Sequence, residues 1–533
     1  MDFFFYPQSI AGLLALLLLY RLWRTRRTHN HKTSKGMLPP EPAGAWPLIG
    51  HLHILGAQNT FARTLAAMAD EYGPIYRIWL GVHSAIVVSS WEAVKECFTA
   101  NDRAFAGRPI SSVNKYLGYD NAMFGFAPYG PYWREIRKLA LLELLSSRRL
   151  EAFKGLRVSE LEISIRELFS LSKKTDGDAP AKVVISEWID ELTLNIIVRM
   201  ISGKRYIRNE DGTKNEEEQH FRRTIREFMH ETGAPVLSDV IPFPLLKWID
   251  FQSHLKSMKR ISKELDSIFG SWVQEHVQRR IENEKGDEQD FIDVMLSGIE
   301  DTIFYGYTRE TVIKATVSGL ILAGSDTTSI SLTWLFSTLL NNKQALKRAQ
   351  EEIELKVGTE RWVEESDIKN LVYLQAIVKE TLLLYPPAPL SVPHEALEDC
   401  HLAGYHIPKG SRLFVNVWKL HRDPRIWSEP DKFMPERFLT SHAEVDVSGQ
   451  HFELIPFGSG RRSCPGITLA MQVTHLTLAR LLQGFDFATP GNEPVDMTEG
   501  SGITMPKATP LEVVITPRLP FKLYENNQQL GVK

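Results

Sequence analysis

The chain has 533 residues, and its 62 lysines and arginines nearly balance its 65 aspartates and glutamates, which leaves a net charge of −3. A charge so close to zero gives no reason to expect a nucleic-acid partner, because such partners attract strongly basic proteins. Three cysteines, an odd number spaced far apart, argue against a disulfide framework and suit a reducing compartment. The length by itself favours two or more domains, since it exceeds the usual limit for a single core.

The N-terminal residues form a candidate membrane segment. Phe3 to Tyr20 is almost entirely apolar, and several arginines follow between Arg21 and Arg27. A spanning helix needs about 20 apolar residues, and this run just reaches that length if it extends to Trp23. The arginines follow the apolar run, so the positive-inside rule places the rest of the chain in the cytosol. The alternative is a cleaved signal peptide, which would carry its positive charge first. We predict a signal anchor and transmembrane helix over residues 1–23.

A polar and then proline-rich segment follows the predicted anchor. It starts with a basic linker and continues with Leu38-Pro39-Pro40-Glu41-Pro42. Prolines stiffen such a segment into an extended spacer. We predict a linker and hinge over residues 24–50, before a main domain over residues 51–533.

Helical periodicity dominates the main domain. Apolar residues recur at helical spacing in Phe61 to Tyr72, Leu156 to Leu171 and Ile261 to Ile281. Short β-like runs of alternating or continuous apolar residues lie near both ends of the domain: Ile75 to Leu80, Ser84 to Val88, Arg412 to Val417 and Leu511 to Thr516. The fold class predicted is mainly α with small β-sheets.

A long apolar helix is predicted over Thr311 to Leu340, and it contains Ala323-Gly324-Ser325-Asp326-Thr327-Thr328. Glycine inside a helix costs about 1 kcal/mol relative to alanine. Hydroxyl groups beside the glycine can bond backbone carbonyls and loosen the helix. The run therefore predicts either a locally opened groove for small ligands or a kinked structural helix with surface hydroxyls.

Cys464 is a candidate metal ligand. Glycines surround it in Phe457-Gly458-Ser459-Gly460-Arg461-Arg462-Ser463-Cys464-Pro465-Gly466, so the backbone can loop tightly and approach a flat cofactor. An apolar, helix-like stretch from Ile467 to Leu482 follows. The N-terminus of a helix favours a thiolate, which is the form that binds iron. For Cys97 and Cys400 the surroundings predict a small buried hydrophobic residue instead.

The Cys464 segment resembles the haem-binding signature of the cytochrome P-450 monooxygenases, Phe-x-x-Gly-x-Arg-x-Cys-x-Gly, at every fixed position. The resemblance covers nearly the whole chain, and Gly44-Ala45-Trp46-Pro47 and Pro506-Lys507-Ala508-Thr509-Pro510-Leu511 look like plant microsomal enzymes of specialised metabolism. It implies the P-450 fold, a single large haem domain behind an N-terminal transmembrane helix. It also implies haem b as cofactor, with the Cys464 thiolate as axial ligand.

The resemblance implies roles for further residues. Asp326 and Thr327 would relay protons through water during oxygen activation. Trp133 and Arg137 are four apart on a helix predicted to begin at Pro131, and both would hold a haem propionate. On their own they would be a surface arginine beside a half-buried tryptophan. The full set of implied cofactor contacts is Trp133, Arg137, His394, Phe457, Arg462, Cys464 and Gly466.

The sequence departs from the family pattern at one position. The family carries Glu-x-x-Arg on a helix beneath the haem, and its glutamate pairs with the arginine of a downstream Pro-Glu-Arg-Phe. Here Glu380 and Arg437 are present, but Leu383 stands where arginine is expected. We predict that Glu380 relies on Arg437 alone. Loss of one partner from a buried ionic network costs about 3–5 kcal/mol, so haem retention would be weakened.

The resemblance implies oxygen insertion into a C–H bond of a small lipophilic substrate, with O₂ and electrons from NADPH through the NADPH–cytochrome P-450 reductase. The implied reaction is hydroxylation or oxidative demethylation of an alkaloid, flavonoid, coumarin or terpenoid at the endoplasmic reticulum membrane. Two alternatives are a haem-thiolate isomerase or dehydratase and a catalytically impaired homologue. The implied substrate contacts are apolar with scattered hydroxyls: Tyr116, Tyr119, Met123, Ala323, Leu390, Val392 and Ile503.

Overall fold

The computed structural model describes residues 32–33, 36–55, 60–173, 181–206, 216–233, 236–241, 253–282, 289–300 and 303–525. The predicted signal anchor over residues 1–23 lies outside the described residues. None of the helices within the described ranges is both long and apolar enough to cross a membrane.

Helices make up most of the described chain. In chain order they are α1 (Leu52–Leu55), α2 (Phe61–Tyr72), α3 (Trp91–Phe98), α4 (Ser112–Tyr116), α5 (Pro131–Leu139), α6 (Ser147–Ala152), α7 (Lys154–Lys173), α8 (Ile185–Ser202), α9 (Glu216–Gly233), α10 (Leu237–Val240), α11 (His254–Ile281), α12 (Phe291–Gly298), α13 (Arg309–Asn341), α14 (Lys343–Lys356), α15 (Val372–Leu384), α16 (Val417–Leu420), α17 (Ile467–Gly484) and α18 (Phe521–Glu525).

The strands are short and form small sheets. They are β1 (Lys32–Thr33), β2 (Gly36–Met37), β3 (Ile75–Leu80), β4 (His83–Val88), β5 (Ala181–Val184), β6 (His394–Glu395), β7 (Cys400–Leu402), β8 (Tyr405–Ile407), β9 (Arg412–Val415), β10 (Phe485–Ala488) and β11 (Glu512–Pro517). The sheet orders are β3-β4-β9-β6, β10-β11-β5, β1-β2 and β7-β8.

The backbone divides into two units. The first unit comprises the described residues within Met1–Pro109, Pro235–Ile249 and Leu390–Leu420, and the second unit comprises those within Ile110–Ala234, Asp250–Pro389 and His421–Lys533.

The four-stranded sheet is the centre of the first unit. β3 and β4 pair antiparallel, and β4 pairs parallel with β9. α2 packs on the sheet because its apolar residues, such as Leu65 and Ala69, recur on one face and join the core with Tyr76 and Ile78. The turn between β3 and β4 needs Gly81, which has a φ of +64° and no room for a Cβ beside the Val240 carbonyl.

The proline-rich hinge lies along β3 in the first unit. The Arg77 N–H donates to the Pro40 carbonyl oxygen (2.8 Å), and the Arg77 guanidinium pairs with Glu41 (2.8 Å). The Trp79 indole N–H donates to the same Glu41 carboxylate (3.0 Å). The described part of the hinge is therefore held against the sheet by specific contacts.

The second unit is built around α13. Its N-cap is Thr308, whose hydroxyl accepts from the Thr311 N–H (3.2 Å). The helix packs against α8 so closely that a Cβ at Gly324 would lie 3.0 Å from the Ile197 side chain. The antiparallel sheet β10-β11-β5 also belongs to this unit.

The predicted helices and strands are confirmed, with bounds that differ by a few residues. The helix predicted from Ile261 begins earlier, at His254, because the polar first turns carry few apolar residues to reveal the period. The glycine and hydroxyl residues of α13 do not break it, since the helix runs without interruption from Arg309 to Asn341.

Candidate active site

The loop before α17 carries the predicted ligand Cys464. The Cys464 N–H donates to the Phe457 carbonyl oxygen at 2.9 Å, which closes the loop. Gly458 and Gly460 have φ angles of +70° and +68°, a left-handed conformation that favours glycine. α17 begins directly after Gly466, so the cysteine stands just before a helix N-terminus, in the arrangement that the sequence predicts.

The Cys464 thiol has two neighbours that favour its ionised form. Burial raises the pKa of this thiol, and this is the largest effect. The Gly466 N–H and the positive charge of Arg137 act in the opposite direction and lower the pKa. The expected effect of the helix N-terminus is thus present but is outweighed by burial.

Two arginines flank the buried ring of Trp133. The Arg462 guanidinium lies 4.7 Å and the Arg137 guanidinium 5.5 Å from the centre of the ring. Arg137 donates to the Ser463 carbonyl oxygen (2.7 Å), and Arg462 donates to the Ala127 carbonyl oxygen (2.8 Å). Burial and the charge of Arg137 lower the pKa of Arg462 to about 9. Two cations in such proximity form a site that a carboxylate would stabilise.

The predicted oxygen-activation turn lies in the middle of α13. Its hydroxyl groups bond the carbonyls one turn earlier: Thr327 donates to Ala323 at 2.7 Å and Thr328 donates to Gly324 at 2.8 Å. Thr328 is buried, whereas Thr327 is partly exposed and Ala323 is exposed. This turn therefore presents Ala323 and Thr327 to open space and keeps Thr328 in the packing.

The carboxyl group of Asp326 lies in a low-polarity environment. Burial raises its pKa to about 6, a hydrogen bond with the Thr504 side chain lowers it, and the neighbouring charge of Asp190 raises it. Its Oδ2 atom is buried without a hydrogen-bond partner among the described residues. A carboxyl group with this pKa exchanges protons readily near neutral pH, which a general acid requires.

Glu380 has more donors than the sequence predicts. Its Oε2 accepts from Arg437 Nε at 2.9 Å, and its Oε1 accepts from the Met434 N–H at 2.8 Å. The prediction that Glu380 relies on Arg437 alone is therefore wrong, because a loop backbone 54 residues away supplies a second donor. Burial still raises the pKa of Glu380 to about 7, although Arg437 opposes this effect.

Leu383 is fully buried, and its backbone carbonyl is linked through His421 to the chain segment that precedes the Cys464 loop. The His421 ring bonds the Leu383 carbonyl oxygen (3.1 Å) through Nδ1, and its Nε2 accepts from the Ile455 N–H (3.1 Å). Burial lowers the pKa of His421 to about 3, so the ring is neutral and can serve both neighbours at once. The helix end at Leu383 and the chain before Cys464 are thus joined through one histidine.

The structure brings several predicted substrate contacts to α13. Met123 packs beside Gly319, where a Cβ would lie 3.1 Å from Met123 Cγ. Ile503 precedes Thr504, the partner of Asp326, and its backbone lies against Gly233 at the end of α9. Tyr116 and Tyr119 belong to the same unit. The Tyr116 ring lies near the Lys259 ammonium group (5.1 Å), and burial raises the pKa of Tyr119.

The other predicted contacts belong to the first unit. The His394 ring is buried and bonds the Phe105 carbonyl oxygen at 2.8 Å. The Val392 carbonyl oxygen accepts from Arg108 at 2.8 Å, and Leu390 packs against the core of that unit. The predicted roles of these three residues stay predictions.

The cytochrome P450 family model matches residues 39–512. The chain belongs to the cytochrome P450 family. Its architecture agrees with this, because a zebrafish cytochrome P450 structure with abiraterone superposes with a TM-score of 0.68 at 26% sequence identity, covering 86% of this chain and 99% of the other. The predicted mainly helical P450 fold with small sheets is confirmed.

Plant relatives are much more similar in sequence. A vinorine hydroxylase of Rauvolfia serpentina is 56% identical over 97% of this chain and 98% of the relative. A nicotine N-demethylase of Nicotiana tomentosiformis is 50% identical over 97% and 99%, and a xanthotoxin 5-hydroxylase of Arabidopsis thaliana is 52% identical over 92% and 95%. This P450 is therefore a monooxygenase that uses haem b and receives electrons from NADPH through a reductase.

The chemistry of the cysteine loop fits haem. The Cys464 thiol before a helix N-terminus would offer one ligand to the haem iron, and the paired guanidinium groups of Arg137 and Arg462 would offer donors to its carboxylates. The residues present thus provide a ligand and an anion site, both of which the cofactor requires.

Sequence reasoning missed several contacts of this site. The Thr504 side chain forms a hydrogen bond with Asp326, and the charge of Asp190 raises the pKa of Asp326. Both residues lie far from Asp326 in the sequence. Tyr129 also lies in this region, where its hydroxyl accepts a hydrogen bond from Arg461 Nη1 at 2.6 Å. Tyr129 lies directly before the predicted helix that starts at Pro131, but the spacing of residues in the sequence does not reveal that it contacts Arg461.

Proposed function

We propose that this P450 inserts one oxygen atom into a C–H bond of a lipophilic plant alkaloid, by hydroxylation or oxidative N-demethylation. The observation that carries the proposal is the Cys464 loop, in a chain that is 56% identical to a vinorine hydroxylase. We propose alkaloids as the first substrate class to test, because the relatives include a vinorine hydroxylase and a nicotine N-demethylase. Coumarins are the second class, because a xanthotoxin 5-hydroxylase is 52% identical.

Each residue of the site has a proposed task. When bound, haem supplies the activation of dioxygen and the insertion of oxygen. Cys464 would bind the haem iron through its Sγ atom, and Arg137 and Arg462 would hold the haem propionates beside Trp133. The Asp326 carboxyl group gives and regains a proton, and the Thr327 hydroxyl group relays that proton. Phe457 and Gly466 shape the loop around the ligand.

The predicted iron ligand is tested by Cys464→Ser, with Cys400→Ser as the control because Cys400 is a buried cysteine in β7 of the first unit. We expect the carbon-monoxide difference band of the reduced enzyme and all turnover to disappear in Cys464→Ser and to persist in Cys400→Ser. Turnover that survives in Cys464→Ser would refute the assignment.

The substrate class is tested with purified enzyme, reductase and NADPH. Vinorine, nicotine and xanthotoxin are offered separately, and products are identified by mass. We expect one added oxygen, or loss of one methyl group, with an alkaloid. Turnover of xanthotoxin alone would replace the alkaloid by a coumarin, and formation of an isomer or a dehydrated product would refute the monooxygenase reaction on these substrates.

We further propose that the protein is anchored in the endoplasmic reticulum membrane by residues 1–23, with residues 51–533 as a cytosolic catalytic domain behind the hinge. The apolar run followed by arginines supports this proposal. Deleting Met1 to Arg27 should move the protein from the microsomal to the soluble fraction and leave its carbon-monoxide band intact. Loss of the band in the truncated protein would show that the segment is needed for the catalytic fold.

A further inference from the structure

A second carboxyl group stands behind Asp326. Ser329 lies three residues after Asp326 on α13, so the two side chains share one face of the helix. The Ser329 hydroxyl donates to the carboxyl group of Asp190, on the facing helix α8. Asp190 therefore lies against the same face of α13 as Asp326, and its charge acts on the Asp326 carboxyl group.

The groups around Asp190 lead from this buried face towards solvent. Arg222 and Arg226 on α9 favour the ionised form of Asp190, whereas burial and the charge of Glu187 favour the protonated form. Arg222 is buried, but Glu187 and Arg226 are exposed. Ser329 is buried and Asp190 is half-buried, so the cluster spans the distance between the packed helix face and the surface.

We propose that Asp190 is a positioning acid that returns a proton to Asp326 after each proton donation in the P450 reaction. The inference rests on the proposed function, in which Asp326 is the proton donor. Two carboxyl groups that share a poorly solvated site cannot both ionise at low cost, so one proton is held between them. Ser329 fixes the orientation of Asp190 for this exchange.

The proton balance is simple and involves no change in oxidation state. When Asp326 gives up its proton on the Thr327 side of the helix, its O–H bond breaks and a carboxylate remains. The Asp190 carboxylate then takes a proton from a solvent hydronium ion at the exposed side of the cluster, beside Glu187 and Arg226, and a water molecule remains. A new O–H bond forms on Asp326 as this O–H bond of Asp190 breaks, which returns Asp190 to its carboxylate form.

The test is Asp190→Asn in the full-length holoenzyme, because asparagine can still accept from Ser329 but cannot carry the proton. Glu191→Gln is the matched control. Glu191 is the next residue of α8 and is buried, but it faces a small polar pocket lined by Glu167, Arg205 and Tyr206. Asp190→Glu is the conservative variant that should restore the function.

Two measurements are made on each variant. The first is the infrared titration of the protonated carboxyl band, which Asp326→Asn identifies. In Asp190→Asn the midpoint for Asp326 should move to lower pH, because a neighbouring negative charge is gone. The second is product formed per NADPH, which should fall by up to about tenfold, less than the 10²–10⁴-fold that a general acid as a whole contributes. The haem spectrum should not change.

An unchanged infrared midpoint, an unchanged product yield, or an equal loss of yield in Glu191→Gln would each overturn the proposal. Failure of the proposed function has a different signature. If the wild-type enzyme oxidised none of the substrates, or if Asp326→Asn kept its product yield, the function or the relay would be refuted while the infrared coupling of Asp190 and Asp326 could still be measured.

Discussion

Glu380 and Asp326 are both carboxyl groups in the packed interior of the second unit, but their surroundings differ. Glu380 receives a guanidinium and a backbone N–H, and Arg437 in turn donates to the carbonyl oxygens of Ser428 (2.8 Å) and Lys432 (3.1 Å). Among the described residues, Asp326 has one side-chain partner, Thr504, and lies near a second acid, Asp190. Removal of a partner from the well-bonded Glu380 leaves other buried groups without their bonds, whereas Asp326 can exchange its proton without breaking such a network.

The largest effect on stability is expected from removing Arg437, the charged partner of Glu380. Arg437→Leu removes the cation and leaves the Glu380 carboxyl group buried, so we expect the free energy of unfolding to fall by about 3–5 kcal/mol, with loss of haem. Denaturant unfolding and haem content per protein measure this. The double variant Arg437→Leu with Glu380→Leu is the control, because it removes both charges and should be less damaged. Equal damage in the two would mean that packing, not charge, is lost.

A smaller effect is expected from the pH dependence of Glu380. Its pKa is raised to about 7 in the folded protein, so the folded state binds more protons than the unfolded state between the ordinary pKa and this value. This stabilisation is present below the ordinary glutamate pKa and is lost as the pH rises through about 7. The loss should be on the order of 3–4 kcal/mol, since the pKa rises from 4.5 to about 7 and one pKa unit corresponds to about 1.4 kcal/mol.

Leu383→Arg sharpens this prediction, because an added cation three residues from Glu380 on α15 should lower its pKa and flatten the pH dependence. We also expect haem content per protein to rise and the carbon-monoxide band to convert more slowly to its inactive form. Leu383→Met is the control for packing and should match the wild type. Lower haem content in Leu383→Arg would show that the core has adapted to leucine.

The smallest effect is expected at Thr327, the residue next to the poorly bonded Asp326. Thr327→Ala should keep haem and substrate binding but divert NADPH to hydrogen peroxide, so product per NADPH should fall by about tenfold, or 1.4 kcal/mol, within the range of proton-transfer catalysis. Thr328→Ala is the matched control: it removes an equivalent hydroxyl bond to the preceding turn, but Thr328 is buried in the packing. An equal loss of product per NADPH in both variants would mean that the lost hydrogen bond within α13, rather than proton transfer, causes the effect.

Much of the site was predictable because its signals are local. The spacing of Trp133 and Arg137 and the position of Pro131 gave α5, and the glycines around Cys464 gave its loop. The number of donors to Glu380 was predicted wrongly because the Met434 N–H is a backbone group, which no residue type reveals. The bond from Ser329 to Asp190 joins residues 139 apart and was not predicted at all.

The sequence by itself determined the family, the helices with a clear apolar period and the tight loop of the candidate ligand. These features depend on neighbours within a few turns, where helix geometry and glycine conformations leave little choice. The tertiary structure alone decided which charges meet: Asp190 with the face of α13, His421 between Leu383 and Ile455, and Met434 with Glu380. Such pairings follow from the packing of distant segments, and the protonation of a buried group depends on those neighbours more than on its residue type.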